Sequence, residues 1–177
     1  MTRIFVDATT LIALGTIGEL ALLTNFSGDL VVVPRVQHEV TTEPAQTNLS
    51  RFISRYDIAQ TDPHIASFRE QSMKTLGEKT PNGDVDIIAA VLGHTADTQS
   101  VGVVSDDRRV RTVARGLGAT VTGTIGVVVR AVSTGVSAQT GRDIIDRIDS
   151  NGLHMTGSLR QQAYTLIDDA ADSPPES

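Results

Sequence analysis

Short runs of Val, Ile, Leu and Phe alternate along the chain with segments whose apolar residues recur at helical spacing. The short runs have the length and β-branched character of buried strands, and the longer segments have the length of helices. Each predicted strand precedes a predicted helix: strands 4–6, 30–33, 101–104 and 119–121 come before helices 9–23, 36–40, 108–117 and 127–132. This alternation is typical of a doubly wound α/β domain with a parallel sheet.

The rest of the chain is predicted to be mainly helical. Residues 44–82 show weaker helical faces around Phe52 and Ile65, and residues 77–83 have the pattern of a loop. Residues 84–92, 142–148 and 159–167 have the length or the amphipathic pattern of helices. We therefore expect a central parallel sheet of four to five strands flanked by helices. A single domain over 1–168 would include a helical extension at about 139–168, and the Ser/Pro/acidic tail 169–177 is expected to be disordered.

Composition narrows the chemistry that this domain can use. The 177 residues include no cysteine, which excludes disulfides, Cys-based zinc sites and thiol catalysis. The net charge is -6, so a uniformly basic surface for nucleic acid is not expected. The chain shows no signal-peptide pattern and no apolar span of about eighteen residues. These features predict a cytoplasmic protein with no membrane attachment.

Acidic residues stand where two of the predicted strands end. Asp7 follows the first strand, and Asp106 and Asp107 follow the strand at 101–104. In an open parallel sheet, ligands bind beyond the carboxyl ends of the strands, where loops from neighbouring strands meet. We therefore expect these carboxylates to converge although about a hundred residues separate them along the chain.

Three further acids are expected to reach the same crevice. Glu39 lies about one helical turn past the second strand, while Asp84 and Asp86 begin the helix that leads into the strand at 101–104. Like charges at close range would raise one another's pKa unless divalent ions neutralise them. Oxygen ligands favour Mg²⁺ or Mn²⁺, and two such ions can activate water and stabilise the leaving oxygen at a phosphodiester.

Each acid also has a plainer interpretation. Asp7, Asp84 and the pair Asp106-Asp107 all precede helices and can serve as N-caps, and Glu39 alone can be a solvated helix residue. Sequence patterns for a nucleophilic serine or for nucleotide-binding loops, such as GxSxG, GxxxxGK[ST] and GxGxxG, do not occur. The combination of acids therefore favours metal-dependent hydrolysis.

Four segments together resemble the PIN domains, which are Rossmann-like metal-dependent ribonucleases that include the toxins of many prokaryotic VapBC toxin-antitoxin pairs. The resemblance covers nearly the whole chain, and the segment 123–127 with its helical extension resembles a bacterial and archaeal subgroup that has a longer C-terminal part. The matching segments are IFVDATTLI at 4–12, VPRVQHEV at 33–40, GDVDIIAA at 83–90 and VVSDDRRVR at 103–111. A three-layer PIN fold is therefore expected.

The resemblance implies roles for individual residues. Asp7 matches the first acid of the family and Glu39 the second, while Asp84 or Asp86 matches the third, and Asp106 or Asp107 the fourth. All six are candidate metal ligands, and the catalytic set is Asp7, Glu39, Asp84 and Asp106. Hydroxyl groups that support the metal site are implied at Thr9 or Thr10 and at Ser105.

Several arginines border the expected crevice and are candidates for holding the phosphates of a substrate. They are Arg35, Arg108, Arg109 and Arg111, and the alternative for them is a solvated face with ordinary ion pairs. His38 and His94 lack metal-ligand spacing, so no role is assigned to them. The resemblance also implies a homodimer, for which 127–132 and 159–167 can supply either an interface or core, and an antitoxin partner if the chain is a toxin.

These features predict an endoribonuclease that uses Mg²⁺ or Mn²⁺ in a two-metal mechanism and leaves 5′-phosphate and 3′-hydroxyl ends. The alternative is a PIN-like binding or scaffold module with weak or no hydrolysis. A third class, a phosphatase with an aspartyl nucleophile, needs a second Asp two positions after the first, where this chain has Thr9.

Overall fold

The protein, described over residues 1–173 by a computed structural model, is built around four short parallel strands. The strands are β1 Arg3–Val6, β2 Asp29–Val31, β3 Val101–Val104 and β4 Thr120–Thr122. Their order across the sheet is β2-β1-β3-β4, and Ile4 in β1 stands opposite both Leu30 and Gly102. The prediction of a parallel sheet of four to five strands is thus confirmed, with four strands. β1 lies near the centre of this sheet.

Helices make up most of the remaining chain and cover both faces of the sheet, which gives the three layers expected of a PIN fold. They are α1 Ala8–Thr16, a 3-10 helix Leu20–Asn25, α2 Pro34–Glu39, α3 Ala45–Tyr56, α4 His64–Leu76, α5 Gly83–Ala96, α6 Arg108–Gly116, α7 Thr124–Ser133, α8 Ala138–Ser150 and α9 Gly157–Asp172. None of the helices within residues 1–173 combines the length and apolar character needed to cross a bilayer.

The core is made of aliphatic side chains from the strands and from α5. Phe5 and Val103 in the sheet are fully or almost fully buried, as are Ile87, Ile88 and Val91 in α5. Burial of a residue of this size contributes roughly 1.5–3 kcal/mol to folding. Because α5 is buried nearly all round, its first turn is held firmly at one edge of the sheet.

Three segments differ from the sequence prediction. The helix expected over 9–23 breaks at Gly18, whose φ of 74° is accessible mainly to glycine, and continues as the 3-10 helix. The second strand ends at Val31, and Val32 donates its N–H to the carbonyl of Ala59. Residues 169–172, expected to begin a disordered tail, belong to α9, and residues 174–177 lie outside the described part.

Backbone hydrogen bonds continue the sheet one residue beyond its strands on the carboxyl side. Asp7 donates its N–H to Val104 O at 2.9 Å, and Ser105 donates its N–H to Thr122 O at 2.9 Å. Asp7 and Ser105 are therefore as rigidly placed as the strands themselves, and both face the carboxyl edge of the sheet.

Candidate active site

Asp7 is a buried carboxylate fixed by three donors. Its side chain is the N-cap of α1, where Oδ1 accepts the N–H of Ala8 at 2.6 Å. Oδ2 accepts hydrogen bonds from the hydroxyls of Ser105 at 2.6 Å and Thr9 at 3.2 Å. Burial raises the pKa of Asp7, and these hydrogen bonds oppose the rise.

The three hydroxyl residues expected near the site have different partners. Ser105 and Thr9 contact Asp7, as the resemblance implied. Thr10 is fully buried, and its hydroxyl oxygen instead lies 3.2 Å from that of Thr124. Thr10 therefore joins α1 to α7 and does not contact the Asp7 carboxylate.

Glu39 and Asp84 meet at the start of α5. Glu39 is the last residue of α2, and its Oε1 accepts the N–H of Gly83 at 2.9 Å. A Cβ at position 83 would lie 2.6 Å from that oxygen, so only glycine allows the contact. Asp84 follows in the first turn of α5. The side chain of Asn82 caps the same helix by accepting the N–H of Val85 at 2.9 Å.

The electrostatics link four carboxylates into one group. Burial raises the pKa of Asp84 to about 6, and the charges of Asp7, Asp107 and Glu39 add to the rise. Burial also raises the pKa of Glu39, with a further contribution from Asp7. We define Asp7, Glu39, Asp84 and Asp107 as the acidic cluster. It gathers residues from four separate segments at the carboxyl edge of the sheet.

The neighbouring acids Asp106 and Asp107 have different positions. Asp107 is the N-cap of α6, with Oδ1 accepting the N–H of Val110 at 2.9 Å, and its charge acts on both Asp7 and Asp84. Asp106 accepts the N–H of Thr124 at 2.9 Å through Oδ1 and the Thr124 hydroxyl through Oδ2. The structure therefore assigns the fourth acid of the cluster to Asp107, and Asp106, which we placed in the catalytic set, caps α7.

Asp86 does not join the cluster. It is almost fully buried, and its two oxygens accept hydrogen bonds from Arg35 at 2.8 Å and from Arg69 at 3.0 Å. Of the two candidates for the third acid, Asp84 alone lies with the cluster. Arg35, expected to contact substrate, instead forms an ion pair with Asp86 and links α2 to α5.

The predicted substrate arginines of α6 also differ from one another. Arg109 pairs with Asp84 at 3.2 Å and with Glu78 at 2.7 Å, so it supports the cluster directly. Arg111 donates to the carbonyl of Ser105 at 2.9 Å and holds the turn after β3. Arg108 is exposed, and within the described residues no ion pair engages it.

The acidic cluster has the composition of a site for a hard divalent cation. The charges of three of its carboxylates raise the pKa of the fourth, Asp84, while Arg109 is the one cation bonded to them within residues 1–173. Oxygen ligands of this type suit Mg²⁺ or Mn²⁺. Within the described residues, no three carboxylates of the cluster have oxygens within 4.8 Å of one another. Binding an ion would therefore draw these carboxylates closer together.

Asp62, His64 and His94 form a second group of potential metal ligands. It lies by Arg3 and Ser100, at the beginning of β1 and just before β3. This is the amino edge of the sheet, opposite the acidic cluster. Sequence reasoning assigned His94 no role, because 32 residues separate it from Asp62 and only folding brings the two together.

Taken together, the parallel α/β sheet and the acids at its carboxyl edge define a Rossmann-like domain with a candidate metal site. The family model DUF3368, described as a PIN domain, matches residues 3–169. Since the match spans nearly the whole chain, the protein belongs to the PIN domain family. PIN domains are generally metal-dependent nucleases. No curated protein and no solved structure gives a significant match.

Proposed function

We propose that this protein is a Mg²⁺- or Mn²⁺-dependent endoribonuclease whose active site is the acidic cluster. The observation that carries the proposal is the convergence of Asp7, Glu39, Asp84 and Asp107 from four segments, with the pKa of Asp84 raised to about 6. A site that holds four carboxylates against the single cation of Arg109, within the described residues, is matched to a metal ion, and the family's chemistry is nucleolytic.

The chain's own residues have distinct parts in this function. Divalent ions, when bound, would neutralise the cluster and supply Lewis-acid activation of water and of the leaving oxygen. Ser105 and the N–H of Ala8 hold Asp7 in one orientation, and the N–H of Gly83 holds Glu39. Arg108 is exposed at the start of α6, beside Asp107, where its guanidinium can bind a phosphate of the substrate.

The decisive experiment is cleavage of a labelled single-stranded RNA by the pure protein with Mn²⁺, Mg²⁺ or EDTA. We expect cutting with either metal, none with EDTA, and loss of cutting in Asp7→Asn. The matched control is Asp29→Asn, an exposed acid at the amino edge of the sheet, which should cut like the wild type. Cleavage that persists in Asp7→Asn would contradict the assignment. No cleavage together with no stabilisation by Mn²⁺ would favour the scaffold alternative.

A homodimer is the second part of the proposal, and α9 supports it. Leu159 and Leu166 are 40% and 43% exposed and lie seven residues apart, on one face of the helix. In contrast, Val127, Val128 and Val132 of α7 belong to the core. We expect light scattering to give a dimer mass for the wild type and a monomer mass for Leu159→Ser/Leu166→Ser. A dimer mass for the double variant would place the interface elsewhere.

An antitoxin partner and a toxic activity are proposed on the family resemblance alone. Induced expression should then arrest the growth of a bacterial host, and Asp7→Asn should relieve the arrest. Normal growth with an active wild-type enzyme would remove the toxin interpretation and leave the ribonuclease proposal intact.

A further inference from the structure

The amino edge of the sheet holds a compact group of two imidazoles and one carboxylate. Asp62, His64 and His94 each offer a ligand atom, and these three atoms lie within 4.8 Å of one another. His94 Nε2 is already 2.8 Å from Asp62 Oδ2. The side chains of Asp62 and His94 are 0% and 6% exposed, so the group is preformed inside the fold. From this geometry we propose a zinc site, distinct from the acidic cluster.

The ligand types favour zinc over the hard cations. Two imidazole nitrogens and one carboxylate oxygen form a ligand set typical of Zn²⁺, whereas Mg²⁺ prefers oxygen alone. Ligands about 2.0–2.1 Å from a tetrahedral zinc ion lie about 3.3 Å apart. The Asp62–His94 pair, at 2.8 Å, is slightly closer than this, and no two of the three ligand atoms are more than 4.8 Å apart, so small side-chain rotations bring all three to an ion.

Partners of the second ring nitrogens support the assignment. Zinc-bound histidines almost always have the other ring nitrogen held by an oxygen acceptor. His94 Nδ1 lies 2.8 Å from Gln99 Oε1, which leaves Nε2 to face Asp62. Asp97 Oδ2 lies 3.5 Å from His64 Nε2, where the carboxylate either orients the ring or adds a ligand.

The local backbone explains how the three residues come together. Asp62 Oδ1 accepts the N–H of His64 at 3.0 Å and so fixes the start of α4, while Oδ2 faces His94 and Arg3. His64 packs directly on Gly93 of α5, where a Cβ would lie 2.2 Å from that of His64. Glycine at 93 therefore allows the two imidazole rings to approach to 4.6 Å between centroids.

Charge and access are also compatible with a bound ion. The carboxylate of Asp97 adds negative charge beside His64, while Arg3 Nε, 3.4 Å from Asp62 Oδ2, must share that oxygen with the ion. The group borders a cavity of about 560 Å³ through which an ion can enter. A zinc ion here would connect the start of α4 to the end of α5, far from the catalytic acids.

The test, which takes the acidic cluster as the Mg²⁺ site of the proposed function, is calorimetric titration of the EDTA-treated full chain with Zn²⁺ in excess Mg²⁺. We expect one Zn²⁺ per chain and a weakening of more than about tenfold in His64→Ala. His64→Gln, which keeps a polar side chain, should lose binding similarly, and both variants should retain the wild-type circular dichroism. The control His38→Ala, which removes an exposed histidine, should bind zinc normally.

Asp7→Asn separates this proposal from the nuclease proposal, because it should lose cleavage and keep zinc binding. No zinc binding by the folded wild type would overturn the inference. The same conclusion would follow from wild-type affinity in a folded His64 variant, or from loss of zinc binding in Asp7→Asn.

Discussion

At the scale of single residues, Asp84 shows how the site makes stability depend on pH. Its pKa rises from 3.8 to about 6 on folding, chiefly through burial. A carboxyl whose pKa is raised in the folded state stabilises the protein fully below its unfolded pKa, and this contribution is lost as pH rises through the folded pKa. The metal-free protein should therefore lose stability between about pH 4 and pH 7.

The corresponding prediction concerns Asp84→Asn, which keeps an acceptor for Arg109 and removes the charge. Without metal, this variant should be more stable than the wild type by roughly 1–3 kcal/mol at about pH 8, and the difference should vanish near pH 4. Urea unfolding of both proteins at several pH values measures this difference in the free energy of unfolding. A difference independent of pH would show that Asp84 does not titrate in this range. With Mn²⁺ the order should reverse, because only the wild type retains the full ligand set.

The neighbouring acids after β3 give a prediction from two isosteric changes. Asp107→Asn keeps the α6 cap but removes a charge from the acidic cluster, so cleavage should fall by about 10–100-fold or more. Asp106→Asn keeps an acceptor for the N–H of Thr124 and should stay within a few-fold of wild-type activity. Single-turnover rates with Mn²⁺ measure both. The reverse ranking would return the fourth position to Asp106.

At the scale of elements, the strands and the presence of a helix after each of them were the most predictable features. The apolar runs at β1 and β3 are short and uninterrupted, and their boundaries follow from the buried residues they must supply. Residues 44–82 have mostly polar surfaces, so α3 and α4 owe their stability to packing, α4 against α5 above all. Local sequence carries little information about such contacts.

Helix geometry explains why Asp84 and Asp86 could not both join the site. Residues two apart on an α-helix are related by about 200° of rotation about the helix axis, so their side chains point in nearly opposite directions. One of the two must therefore point away from the cluster. The sequence analysis placed both residues near the crevice, and the structure separates them. The choice depends on Arg35 and Arg69, which approach Asp86 from α2 and α4.

The pairing of Asp86 with two arginines leads to a prediction about α5. Asp86→Asn removes the charge shared by Arg35 and Arg69, and hydrogen bonds to charged groups contribute about 1.5–3 kcal/mol. We expect the free energy of unfolding to fall by roughly that amount, while stabilisation by Mn²⁺ is retained. Chemical denaturation with and without Mn²⁺ checks both parts. Loss of the Mn²⁺ effect would indicate that Asp86 is a ligand after all.

At the scale of the whole molecule, the sheet separates two groups of possible metal ligands. The acidic cluster follows the carboxyl ends of β1 and β3, and the Asp62-His64-His94 group lies at the amino edge. The first was predictable because fold topology sends strand ends to one edge. The second was not, since its members come from α5 and from the start of α4, a region for which the sequence predicted only weak helical faces.

The separation of the two edges leads to a prediction for the intact protein. Four residues of β1 span about 13 Å, and sites more than about 7–10 Å apart with no shared partners usually act additively. The stabilisations by Mn²⁺ and Zn²⁺, measured by chemical denaturation, should therefore add within about 0.5 kcal/mol. Asp107→Asn should weaken only the Mn²⁺ effect, and His64→Ala only the Zn²⁺ effect. A strongly non-additive result would mean that the ions compete for one site or that α5 couples the two edges.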